Sequence, residues 1–232
     1  GAGCIGDFGS FSHQSSKILT AGEGGSLLTN DDDLARRAHS IIDCGRAKDP
    51  EEKEFTFGAN YRLGELHAAL LSVAIDRFPE EQAQRAEAGK AFERLAGGLE
   101  GVTIKPADER ITRWSFYNYV FAIDPGAFAG RNNEVVCAAL EAEGIPAEVQ
   151  YPPMNHYELF QPSLSRMPVA VEFADRLDPQ RMSFPVAEDA GLRESVYLME
   201  NVFRDGEPGV ADVVEALEKV RRNADRLPEP TA

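Results

Sequence analysis

Ser10-Phe11-Ser12-His13-Gln14-Ser15-Ser16-Lys17-Ile18-Leu19-Thr20-Ala21-Gly22-Glu23-Gly24-Gly25 sets one lysine among hydroxyls, at the end of a short strand and ahead of a glycine bend. A lysine attacks a carbonyl when its ammonium is partly deprotonated, and desolvation favours that form. Neighbouring hydroxyls donate to phosphate oxygens without adding charge. Glycines let the backbone turn tightly or approach a ligand closely. The same residues also describe a solvated lysine in a serine-rich surface loop. Chemistry alone leaves both readings open.

Upstream, Gly1-Ala2-Gly3-Cys4-Ile5-Gly6 fits G-x-G-x-x-G letter for letter. A dinucleotide fingerprint needs a helix after it, because the helix amino terminus holds the pyrophosphate. Here residues 7–12 read as a strand, so the match is set aside. Downstream, residues 26–29 read as a second short strand. Asn30 and residues 31–33 then supply helix-capping groups, Leu34, Ala38, Ile41 and Ile42 follow at helical spacing, and Gly45 is a stop. Strand, cap and helix in that order is an α/β signature.

Residues 46–60 read as a charged, exposed loop. A helix follows with Leu66, Ala69, Leu70 and Val73 on one face, and Pro79 marks a break or a new start. Residues 80–95 continue as a helical connector that ends at Gly97-Gly98. Beyond it, residues 116–123 are aromatic and β-branched and predict a strand. Asn132 and Asn133 cap a helix carrying Val135, Val136, Ala139 and Leu140, which Gly144 ends. Residues 145–151 predict a strand closed by Pro152-Pro153. A late helix carries Val210, Val213, Val214, Leu217 and Val220 on one face, and the tail from Pro228 is expected to fray.

The 232 residues carry 24 basic and 39 acidic side chains, a net charge of −15. That field repels a phosphate polyanion, so nucleic acid is a poor partner. A hydrophobic fraction of 43% suits a packed core. No apolar run approaches the roughly 18 residues of a membrane span, and residues 1–12 lack the basic flank and apolar core of a signal peptide. Cys4, Cys44 and Cys137 form no disulfide framework, which favours a reducing, cytoplasmic compartment. The histidines and cysteines show no zinc spacing, so no metal site is expected.

The lysine segment resembles the cofactor-lysine segment of the DegT/StrS family, the sugar and cyclitol aminotransferases of pyridoxal-phosphate fold type I. Phe11-Ser12, Lys17 and Thr20-Ala21-Gly22-Glu23-Gly24-Gly25 match the family pattern in order and spacing. Gly58-Ala59-Asn60-Tyr61-Arg62-Leu63, with Glu65-Leu66 and Ala68-Ala69 after it, is similar to a second family segment, with Leu63 in place of the usual Met. A weaker echo lies over residues 114–120, similar to the strand that opens the family's small domain.

The resemblance implies an incomplete fold type I chain. Residues 1–95 would be the end of the large cofactor domain with its connecting helix, and 96–232 the small carboxy-terminal α/β domain. It implies pyridoxal 5'-phosphate as cofactor, with Lys17 as its Schiff-base and proton-transfer residue. Ser12 would donate to the cofactor phosphate. Asn60 would reach the phosphate of a neighbouring subunit, which implies a homodimer. Gln14 stands where nucleotide-sugar members carry His, as in the cyclitol branch, and is a candidate substrate contact. The reaction implied is transfer of an amino group from glutamate or glutamine to a ketone on a cyclitol or sugar, in antibiotic or cell-surface sugar biosynthesis. The related sugar dehydratases carry His where Lys17 stands. A non-catalytic sensor that keeps the fold is the other alternative. The family's ring-stacking and ring-protonating residues lie upstream of such a lysine segment. The chain is therefore expected to be a portion of the enzyme, or to work with a second polypeptide, and to be inactive alone.

Overall fold

Asp31 starts the first helix, as seen in a computed structural model that describes residues 1–47 and 56–230. Its backbone is extended, and its carboxylate accepts from the amides of Asp33 at 2.8 Å and Leu34 at 3.0 Å. Those bonds satisfy donors that a helix start otherwise leaves unpaired. The helix, α1, runs Asp32–Ile42. Ahead of it lie β1 (Gly9–Ser12) and β2 (Gly25–Leu28), paired antiparallel with Gly9 opposite Leu28 and Ser12 opposite Gly25. After it, a short segment folds back along the end of α1, where Ala59 N donates to Ile41 O and Tyr61 N to Ile42 O, both at 2.9 Å. Of the loop expected at 46–60, residues 48–55 lie outside the described residues.

A single helix, α2 (Glu65–Ala96), then runs through Pro79 without a break, where the sequence predicted an interruption. Proline deletes one N–H, which strands the carbonyl four residues earlier, that of Ile75. Ile75 is half exposed, so water can meet that carbonyl. The stripe of Leu66, Leu70 and Val73 forms as expected, but all three side chains are exposed.

The chain divides into two compact units, Gly1–Glu81 and Gln82–Ala232. The division falls inside α2, whereas the sequence reading set it at the helix end. Arg85, Ala88, Gly89, Ala91, Phe92 and Ala96 are the buried residues of α2, and all lie in the second unit.

That second unit is built on a four-stranded antiparallel sheet, β3 (Val102–Ile104), β4 (Tyr119–Ile123), β5 (Ala147–Val149) and β6 (Ser195–Leu198), in the order β3-β4-β6-β5. Tyr119, Phe121, Ile123, Val196 and Leu198 alternate into a core shared with α2, α3 (Asn133–Ala142) and α6 (Gly206–Arg222). Phe92 is fully buried, with its ring 5.0 Å from Tyr119 and 5.7 Å from Phe121. Burying such a ring contributes about 2–3 kcal/mol. Two short helices, α4 (Pro168–Glu172) and α5 (Pro185–Asp189), lie in the otherwise irregular stretch before β6. Among the described residues no helix is long and apolar enough to cross a membrane.

Four details depart from the pattern reading. β4 starts at Tyr119, three residues later than predicted, because Trp114 and Phe116 turn into an aromatic cluster, their rings 5.0 Å apart. Of the two asparagines before α3, only Asn132 caps the helix, accepting from Val135 N at 3.2 Å. Asn133 points inward and donates to Gly191 O and Ser195 O, at 3.1 and 2.9 Å. Of the tail expected to fray, only residues 228–230 are described, and there Glu229 pairs with buried Arg131 at 2.9 Å, which also donates to Leu227 O just before it at 2.9 Å. The strands β3 and β6 were not predicted at all.

Gly89 lies under the aromatic cluster, where an added Cβ would sit 2.7 Å from Trp114 and 2.9 Å from Phe116. Gly89→Val is expected to cost about 1–3 kcal/mol in chemical denaturation, overpacking outweighing the gain in helix propensity. Gly98→Ala, with nothing near its Cβ, should stay within about 0.5 kcal/mol. Cys137 is buried, and burial, with Glu141 and Glu148 adding to it, pushes its thiol up to about 12. A thiolate-selective reagent should therefore label Cys137 only as the protein unfolds, with peptide mapping as the check.

Candidate active site

The loop that carries Lys17 closes on the main chain of His13. His13 N donates to Gly24 O and Ala21 N donates to His13 O, each at 2.9 Å. Thr20 adds a side-chain tie: its hydroxyl donates to His13 O at 3.1 Å and accepts from Gly22 N at 2.9 Å. Gly24 has φ +130°, a conformation that L side chains rarely adopt. A Cβ there would also meet Leu63 Cδ1 at 2.5 Å. The glycine bend is thus required both by its backbone and by a neighbour from the second motif.

Inside that neck, Lys17 N donates to Gln14 O at 2.9 Å and makes a turn. The Gln14 side chain braces the same turn. Its Oε1 accepts from Ser16 N at 2.9 Å and Ser16 Oγ at 2.6 Å, and its Nε2 donates to Ser15 Oγ at 2.8 Å. Ser12, at the end of β1, is exposed and accepts from Gln14 N at 3.4 Å. That bond leaves its O–H to donate. Lys17 is half-buried. The fold therefore gathers Ser12, Gln14 and Lys17 into one loop.

Asn60 is held from a different side. It bridges to Asp43 at the end of α1, and its Oδ1 accepts from Arg62 N at 3.4 Å. Arg62 pairs with Asp43 and donates to Cys44 Sγ at 3.7 Å, and these bonds raise the guanidinium above its ordinary pKa. Asn60 itself is exposed. Its segment meets the glycine bend through Leu63 at Gly24 and, just beyond, through His67 near Gly22. A nearby hollow of about 620 Å³ is lined by Cys4, Phe8, Leu27, Leu28 and Tyr61 among others, and its lining does not include Lys17.

His13 is the residue whose importance the sequence reading missed. It is buried at 4% exposure, and its ring bonds to Leu19 O and Ser26 Oγ, both at 3.0 Å. A histidine within a strand-end motif carries no such signal, because both partners are set by the hairpin.

A half-buried primary amine, an exposed hydroxyl with a proton to donate and a braced turn between them form a donor set that fits an aldehyde cofactor bearing a phosphate. Gln14→Leu removes the brace and keeps the volume. It is expected to speed amide exchange at Ser16 by about fivefold, the loss of a bond worth roughly 1 kcal/mol.

Comparison with known proteins gives this loop a context. The model of the DegT/DnrJ/EryC1/StrS aminotransferase family matches residues 1–203. A protein of Streptomyces kanamyceticus assigned as an L-glutamine:3-amino-2,3-dideoxy-scyllo-inosose aminotransferase is 36% identical, over 97% of this chain and 55% of its own length. The L-glutamine:2-deoxy-scyllo-inosose aminotransferase of Micromonospora echinospora is 34% identical, over 95% and 54%. The crystal structure of 3-amino-5-hydroxybenzoic acid synthase superposes with a TM-score of 0.68 at 27% identity, over 92% of this chain and 54% of that one. Helicobacter pylori PseC, an aminotransferase of pseudoaminic acid biosynthesis, shares the fold with a TM-score of 0.72 at 23% identity, over 95% and 55%. The chain spans about half the length of the curated relatives it matches. On a family match over residues 1–203 and relatives above 30% identity along nearly its whole length, this chain belongs to the DegT/DnrJ/EryC1/StrS aminotransferase family.

Proposed function

We propose that this chain is the carboxy-terminal portion of a pyridoxal 5'-phosphate-dependent aminotransferase. The enzyme moves an amino group from glutamine or glutamate to a keto group of a cyclitol or sugar. The observation that carries the reading is the Lys17 loop, a braced, half-buried amine in a chain related to L-glutamine:scyllo-inosose aminotransferases. The end of the cofactor domain runs from residue 1 into the connecting helix α2, and the small domain takes up the rest. Gln14 favours a cyclitol ketone, and the setting is biosynthetic, of the antibiotic kind. The free thiols Cys4, Cys44 and Cys137 suit the cytoplasm.

The cofactor, when bound, supplies an aldehyde for amine exchange and a ring that absorbs the electron pair of a broken carbon–hydrogen bond. Lys17 Nζ would hold it covalently and would move a proton to and from the substrate carbon. Ser12 Oγ–H donates to the phosphate. Asn60 of the partner subunit would reach the same phosphate, which would make the working unit a homodimer.

Borohydride reduction of the full-length enzyme, followed by peptide mapping, tests the attachment. The expected adduct sits on Lys17; an adduct on another lysine ends the reading. Lys17→Ala should lower the half-reaction with L-glutamine by about 10²–10⁴-fold or more, the scale of a lost proton-transfer group. Gln14→His should lower the kcat/KM ratio for a keto-cyclitol over a nucleotide keto-sugar by about tenfold, read from paired steady-state assays.

A further inference from the structure

We propose that His13 is a positioning residue that fixes where the Lys17 amine stands. The inference rests on the reading of Lys17 as the cofactor lysine. His13 is one of five buried polar or charged side chains among the described residues, and the reaction as proposed does not use it.

The geometry gives the imidazole two partners on opposite sides of the loop. Nδ1 lies 3.0 Å from Leu19 O, two residues past Lys17. A carbonyl oxygen only accepts, so Nδ1 carries the proton. In the neutral ring Nε2 is then an acceptor, and the Ser26 hydroxyl donates to it at 3.0 Å from inside β2. The ring thus ties the far limb of the loop to a strand. The main chain of the same residue closes the neck through Gly24 O and Ala21 N. Ser12, next in line, faces the other way and is exposed, as strand alternation requires. One side of β1 therefore presents the hydroxyl, and the next residue anchors the loop from behind.

Residues 14–18 lie between these anchors and bear the lysine. Without the ring, the limb at Leu19 would lose its tie to β2 and keep the Thr20 and Ala21 ties to His13 O. A reacting group misplaced by about 1 Å loses on the order of 10²-fold in rate, so a single tether matters to an amine that must meet an aldehyde.

The test uses the full-length enzyme and three variants. His13→Phe fills the site and removes both bonds. His13→Asn places its amide nitrogen where Nδ1 stood and keeps only the Leu19 bond. Ser26→Ala removes only the Nε2 partner. The rate of borohydride-trappable attachment at Lys17 should fall at least about tenfold in His13→Phe and less in His13→Asn and Ser26→Ala, with thermal unfolding midpoints close to wild type. Amide exchange across residues 14–21 should quicken in His13→Phe while α1 and α2 stay protected. Wild-type trapping by His13→Phe, or wild-type exchange across that loop, overturns the proposal. If His13→Phe does not fold, wild-type trapping by both milder variants overturns it instead. Absence of any adduct at Lys17 in the wild-type enzyme ends the cofactor reading, and exchange then still decides whether the ring clasps the loop.

Discussion

The backbone between Ser12 and Gly25 must reverse direction for β1 and β2 to pair, and it does so by folding onto a single peptide unit. His13 N and O are both taken, by Gly24 O and Ala21 N, and Thr20 bonds to the same carbonyl. Closing a loop of this length costs entropy that grows slowly with length, so a few well-placed bonds at its neck offset it. What remains is a short loop with fixed ends, rooted on two paired strands. A reactive amine placed there inherits its position from rigid elements, as precise chemistry requires. The glycine bend belongs to the same constraint, since the backbone at Gly24 takes a conformation that a side chain would strain and Leu63 fills the space a Cβ would need.

The two units differ in how far they bury their apolar surface. The second closes a core of its own, in which Phe92, Tyr119, Phe116 and Phe203 meet mostly edge-to-face within about 5 to 6 Å. Such pairs contribute roughly 0.5–1.5 kcal/mol beyond their buried area. Among the described residues, the first unit leaves Leu27, Leu28, Leu66, Leu70 and Val73 about half exposed or more. Apolar exposure of this kind is a mark of surface that packs against more protein. It occurs in a chain that spans about half the length of its curated relatives.

The motif and the geometry support each other at different levels. The spacing of Ser12, Lys17 and the glycine bend was readable in the chain because all three lie within one hairpin. Asn60 belongs to a separate segment, and only the resemblance gave it a role. The structure ties that segment to the hairpin through Leu63 and the end of α1. Gln14, read as a candidate substrate contact, also spends both ends of its amide on Ser15 and Ser16. It shapes the turn on which the lysine stands.

By itself the sequence determined the local devices. Asp31 at the start of α1, Asn132 at the start of α3, Gly144 after it and the valine stripe of α6 all act on neighbours within a turn or two, and periodicity reports them faithfully. Tertiary structure alone decided the partners of residues far apart in the chain. It turned Asn133 toward Ser195, set Tyr119 against Leu198, carried α2 through Pro79, and gave His13 its bonds to Leu19 and Ser26. The reason is physical. A cap or a stripe is satisfied within its own helix, whereas a buried polar group or a short strand is stable only after a distant segment arrives to pair with it.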